Sequence, residues 1–151
     1  MREIDVKRLE ETVYSLFISA CCEIGNDVLE KLEEGLRNEE SPFGREVLRQ
    51  LIENDHLARE RGMPICQDTG MAVIFMEIGQ EVHFEGGSLT DAVNEGVRRG
   101  YVDGFLRKSV VSDPIIRENT KDNTPAVIYY EMVPGDKVKI TKSEKTTEII
   151  K

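Results

Sequence analysis

The sequence contains no run of apolar residues approaching the ~20 needed to cross a bilayer as a helix. Its first residues, MREIDVKRLEE, carry charge where a secretory signal would place an apolar core. Membrane insertion and export are therefore not expected, and a cytoplasmic chain is. Basic charge is scarce: 20 Lys and Arg stand against 29 Asp and Glu, for a net charge of −9. Nucleic acid is a poor partner for such a surface, because its phosphates need a basic face. An anionic small molecule would need particular cations that overcome the field of the whole chain. Cysteine is scarce as well. Cys21, Cys22 and Cys66 are three in number and two are adjacent, which is not the pattern of a disulfide framework. Neighbouring residues on a helix point about 100° apart, so Cys21 and Cys22 read as small hydrophobes of the core rather than as a shared site. No CxxC surrounds Cys66, which argues against a thioredoxin-like motif.

What remains is a chain of 151 residues, 39% hydrophobic and 32% charged, enough for one ordered domain. We place that domain at residues 1–141 and a charged tail at 142–151, which either adds a short strand or frays. Leu9, Val13, Leu16, Phe17 and Ala20 recur at helical spacing over residues 5–24, and Gly25-Asn26 interrupts them. Val28, Leu29, Leu32 and Leu36 continue a second helix. Ser41-Pro42 is a cap and first turn for a third, with Val47, Leu48, Leu51, Ile52 and Leu57 as its stripe and Gly62 as its stop. Ala72 to Ile78 reads as a buried strand, with Glu81 to Glu85 as a short partner after a Gly79-Gln80 turn. Ser88 caps a further helix from about Leu89 to Val102 or Phe105, with Asp91 in a relaxed capping box. Residues 112–125 are loop, Ala126 to Met132 a strand, residues 133–136 a turn and Lys137 to Thr141 another strand. Helices first and strands later give an α+β fold: N-terminal helices, then a mostly antiparallel or mixed small sheet with one further helix.

Two segments offer chemistry. PICQDTG, residues 64–70, falls between a helix end and a buried strand, where a rigid scaffold presents functional side chains. Cys66 in it could be a nucleophile, a redox thiol, a metal ligand or a plain turn cysteine; the first three need the thiolate. His56 and His83 lie on other elements. Asp68 taken alone is more often a turn-forming carboxylate. The second segment, GVRRGYVDGFLRKSVVSDP, brings Arg107 and Lys108 to a helix end, where a guanidinium fork suits a carboxylate. Arg98 and Arg99 read as a solvated helix face. In KDNTPAV, Asn123 and Thr124 can hydrogen-bond or simply form a turn.

PICQDTG, followed by GVRRGY, LRKSVVSDP and DNTPAV in that order and spacing, resembles the iron–sulfur hydro-lyases of the class I fumarase and tartrate dehydratase group. More narrowly, residues 8–139 are similar to the N-terminal part of their α-type subunit or domain. The resemblance implies reversible hydration and dehydration of a small dicarboxylate, fumarate and malate first. It implies a 4Fe-4S cluster held by three cysteines, with one iron left open as a Lewis acid. By the same resemblance Cys66 matches a cluster ligand, Gln67 and Asp68 match residues at the substrate, Asp68 is a candidate for proton handling, and Arg107 matches the substrate-carboxylate arginine.

The family's other two cluster cysteines lie downstream of PICQDTG, and no cysteine follows Cys66 here. The chain alone is therefore expected to hold no complete cluster and to lack hydratase activity. Its expected partners are a β-type subunit or the remainder of the α-type domain, in a homo- or hetero-oligomer. Two other readings stand beside this one: a non-catalytic binding domain of the same fold, and a thiol enzyme using Cys66 alone.

Overall fold

The computed structural model describes residues 1–142 and 147–150. Among these are four helices and six strands in the order β1 (Arg2–Asp5), α1 (Val6–Cys22), α2 (Asn26–Asn38), α3 (Pro42–Arg61), β2 (Val73–Gly79), β3 (Val82–Glu85), α4 (Leu89–Asp103), β4 (Val127–Val133), β5 (Val138–Lys142) and β6 (Thr147–Ile150). The class is α+β, as the order of the sequence patterns indicates.

The caps explain where helices begin. Asp5 ends a strand and starts α1 in one residue, its carboxylate accepting the Lys7 N–H at 2.8 Å. Ser41 and Ser88 do the same for α3 and α4, accepting from Gly44 and Asp91. α1 and α4 are the core pair. Leu9, Val13 and Phe17 of α1 and Val93, Val97 and Tyr101 of α4 are fully buried with Ile74, Ile140 and Val138 of the strands. Gly96 and Gly100 let the two helices meet closely: a Cβ on Gly96 would stand 2.6 Å from the Glu10 carbonyl oxygen. Arg99 closes the rim of this contact, 2.5 Å from Glu10, 2.6 Å from Glu11 and over the Tyr14 ring.

The sheet runs β4-β2-β5-β6, with β2 and β4 parallel and the other pairs antiparallel; β1 and β3 form a separate parallel pair. Two expectations change here. β3 is no hairpin partner of β2, because Val82 to Glu85 align with Arg2 to Asp5, a strand too short to announce itself in the sequence. β4 and β5 are likewise not a hairpin: β2 lies between them, joined to β4 by the α4 crossover. Of the segment read as a charged tail, Thr147–Ile150 is β6, and residues 143–146 and 151 lie outside the described residues.

The helix stripes were read correctly in period and only partly in burial. α2 buries no residue and α3 buries only Asp55 and Ala58. Val47, Leu51 and Leu57 of the expected stripe are exposed. α2 and α3 pack as a hairpin beside the body, with no described layer over their far side.

Candidate functional site

The PICQDTG loop begins where α3 is stopped. Gly62 is left-handed at φ 59°, and the Met63 N–H reaches back to the Ala58 carbonyl, the 6→1 bond of a glycine-terminated helix. Pro64 prevents continuation. The next residues are docked on α1: the Ile65 N–H donates to the Cys21 carbonyl at 2.9 Å, while Asn54 Nδ2 donates to the Ile65 carbonyl at 2.8 Å. Cys66 emerges exposed, its Sγ 3.4 Å from the Asp68 carbonyl. Asp68 Oδ1 accepts from the Gly70 N–H at 3.4 Å, a local turn that Gly70 completes at φ 63°.

Beyond Asp68 the loop is clamped. Thr69 is buried, and its Oγ1 donates to the Arg107 carbonyl at 3.1 Å. The Tyr101 hydroxyl lies 3.1 Å from both the Thr69 and the Gly70 carbonyls. Asn123, fully buried, donates from Nδ2 to the Gly70 carbonyl at 3.1 Å. Its Oδ1 accepts the N–H groups of Ser109 and Val110 at 2.6 and 2.9 Å. One amide thus staples the LRKSVV segment to the cysteine loop. Asn123 does this at φ 62°, a left-handed conformation that asparagine tolerates better than most residues.

Cys66, Asp68 and Thr69 face a cleft of about 570 Å³. Its other wall is the end of α1 and the α1–α2 link, including Cys21, Glu23 and Asp27. Buried Asp55 fixes this wall by accepting the Ile24 N–H at 3.0 Å. Glu23, Asp27 and Asp68 make the lining acidic. Gln67 and Arg107 are exposed and are not among the lining residues. The structure therefore brings Cys66 and Asp68 to one cleft and joins Arg107 to their loop through its main chain, without setting its guanidinium in that cleft.

Arg98 and Arg99 are not simply solvated. Arg98 Nε lies 2.9 Å from Asp122 and its Nη1 contacts Glu95, while Arg99 spans to α1. Burial works to raise the Asp122 pKa, but hydrogen bonds from Arg98 and from the Thr124 N–H and hydroxyl outweigh it and lower it to about 2. This pair anchors the turn that carries Asn123. The clamp residues Tyr101 and Asn123 were not singled out from the sequence as a unit. Tyr101 gave a signal in the i, i+4 series Val93, Val97, Tyr101, a core stripe ending in a hydroxyl.

The donor set for an iron–sulfur cluster can be tested against these positions. Cys66, exposed at a loop tip, fits as one thiolate ligand. Cys21 and Cys22 are buried on α1, and Cys21 Sγ sits 3.2 Å from Lys142 Nζ. Among the described residues no three His, Cys, Asp or Glu side chains gather as a metal site. The chain fits one corner of a cluster and not the whole of it.

Comparison with known proteins agrees with the motif order. A family model described as fumarate hydratase (Fumerase) matches residues 10–147. A protein of Methanocaldococcus jannaschii that carries the name of an L(+)-tartrate dehydratase α subunit is 34% identical over 117 residues, covering 77% of this chain and 41% of that protein. The anaerobic class I fumarate hydratase of Escherichia coli is 35% identical over 103 residues, 67% of this chain and 19% of its own length. An Escherichia coli L(+)-tartrate dehydratase α subunit is 26% identical over 138 residues, 89% of this chain and 45% of its own. The chain spans less than half the length of these relatives. With a match over nearly its whole length, in the order of motifs that the clamp ties together, the chain belongs to the fumarate hydratase (Fumerase) family.

Proposed function

We propose that this chain supplies the cysteine loop of an iron–sulfur hydro-lyase that reversibly hydrates a small dicarboxylate, with fumarate and malate as the first substrates to test. The observation that carries the reading is the placement of Cys66 and Asp68 on one cleft, on a loop fixed by Thr69, Tyr101 and Asn123. A cluster bound there would supply Lewis acidity toward the departing hydroxyl. The chain's own contributions are narrower. Cys66 would be one ligand. Asp68 would exchange a proton with the substrate carbon or with water. Gln67 would hydrogen-bond a carboxylate, and Arg107 would bind one through its guanidinium fork. The remaining thiolates would come from the rest of the α-type domain, and a β-type subunit would add further substrate-binding groups. Matched relatives carrying the name of α subunits support such a partner. Cys21, Cys22 and Cys66 form no disulfide with one another, in keeping with a reducing compartment such as the cytoplasm.

A second reading is a dicarboxylate-binding or interaction domain without catalysis. The acidic cleft lining, with Arg107 outside it, disfavours a dicarboxylate there and suits the interaction domain better for the chain taken alone. Anaerobic cluster reconstitution, with malate and fumarate as substrates, separates the two. The chain alone should show no turnover. Assembled with a polypeptide that carries the other two cysteines, it should turn over, and Cys66→Ser should abolish both activity and the cluster's visible absorption. Turnover by the isolated chain would overturn the claim of incompleteness. An assembled enzyme indifferent to Cys66→Ser would overturn the role of the loop.

A further inference from the structure

Lys142 is the last residue of β5 and is 1% exposed. Its Nζ lies 3.2 Å from Cys21 Sγ in the last turn of α1 and 5.1 Å from the centre of the Phe17 ring. A buried lysine here stands against a buried thiol, and burial makes a charged form of either costly unless it is paired. Cys21 is also among the residues that line the cleft holding Cys66. At its neighbour Cys22, burial first, then the charge of Cys21, pushes the thiol up.

We propose that Cys21 and Lys142 are a redox-sensitive pair, which peroxide joins covalently through a single oxygen as an S–O–N bridge between α1 and β5. The first equivalent of hydrogen peroxide is attacked by the Cys21 thiolate. An S–O bond forms, the O–O bond breaks, and the hydroxide released takes a proton from the Lys142 ammonium, leaving a sulfenic acid, a neutral amine and water. A second equivalent oxidises the amine to a hydroxylamine, again with O–O cleavage and release of water. The hydroxylamine oxygen then attacks the sulfenic sulfur, and its hydroxyl leaves as a third water. Sulfur and nitrogen together lose four electrons, and two peroxides accept them. The bridge needs the two side chains to be within one atom of each other, which the 3.2 Å separation provides. Because the Cys21 carbonyl also holds the Ile65 N–H, the bridge would tether β5 to the wall on which the Cys66 loop is docked.

The test is peroxide treatment of the full chain, followed by proteolysis and tandem mass spectrometry. The expected product is a peptide containing Cys21 linked to one containing Lys142, heavier than their sum by one oxygen and lighter by two hydrogens, and separated again by dithiothreitol. Cys22→Ser should keep the linkage; Cys21→Ser should lose it. Lys142→Arg should replace it with a sulfenic acid at Cys21 that dimedone traps. If either variant fails to fold, the wild-type peptides decide by themselves. Cys21 recovered unmodified, over-oxidised, or in a disulfide with Cys22 or Cys66, with no link to Lys142, would overturn the proposal.

Discussion

The Thr69 hydroxyl donates to the main-chain carbonyl of Arg107 at 3.1 Å. Two strings separated by 38 residues are thereby one structural unit, and the contact lies at the loop's buried side, away from Cys66. Disturbing this seam should loosen the site without touching its reactive groups.

Asn123→Ala tests the seam at its centre. The change strands the N–H groups of Ser109 and Val110 in a part-buried setting and leaves the Gly70 carbonyl only the Tyr101 hydroxyl. Unsatisfied buried groups of this kind cost about 1–3 kcal/mol each, so a loss of about 2–4 kcal/mol is expected by urea denaturation. Amide exchange should accelerate at Gly70, Ser109 and Val110 first.

Tyr101→Phe removes one hydroxyl and keeps the ring against Phe17. The expected loss is about 1–2 kcal/mol. Because that hydroxyl holds the Thr69 and Gly70 carbonyls, Cys66 should also react faster with a maleimide than in the wild type. An unchanged rate would show that the loop does not depend on this clamp.

Gly96→Ala and Gly35→Ala should have opposite signs. Both glycines are inside helices, where alanine ordinarily gains about 1 kcal/mol. At Gly96 a Cβ would meet the Glu10 carbonyl oxygen at 2.6 Å and the Val13 Cβ at 2.9 Å, so overpacking of about 1–3 kcal/mol outweighs the gain. At Gly35 the nearest atom is Leu48 Cδ1 at 3.7 Å, an ordinary contact. Thermal melts of the two variants should move in opposite directions.

The Arg98–Asp122 pair sets an acid dependence. The Asp122 pKa is lowered from 3.8 to about 2 on folding. A depressed carboxyl contributes stability above its unfolded pKa and loses it as pH falls through the folded value. The melting temperature of wild type minus that of Asp122→Asn should therefore be constant above about pH 5 and shrink from about pH 4 toward pH 2. A difference that stays flat over that window would remove Asp122 as an acid-sensitive anchor.

Local signals in this chain were readable because they act locally. Ser41-Pro42, Gly62 and Ser88 mark helix ends by chemistry confined to a few residues, and the structure uses them so. Ala72 to Ile78 was legible as a strand because its apolar run is too short for a helix. Pairing was not legible: that Arg2 aligns with Val82, and that β2 separates β4 from β5, depends on long-range packing no turn residue encodes. Period told which face of α3 is apolar, and could not tell that Val47, Leu51 and Leu57 have no described layer over them. At the site, Cys66 and Asp68 stood out as reactive types. Asn123 looked like any asparagine before a strand, since its value lies in main-chain groups of two other segments.

The parallel pairing of β1 with β3 has a consequence for how the chain is made. Arg2 to Asp5 leave the ribosome well before their partners, residues 82–85. The apolar face of α1 waits longer, for α4 and then for Val138 and Ile140. Vectorial synthesis therefore leaves the apolar face of α1 exposed until residue 140 has emerged, and closure of this core is a long-range event. A nascent chain stalled before residue 89 should bind chaperones that recognise extended apolar segments, and one stalled well after residue 142 should not.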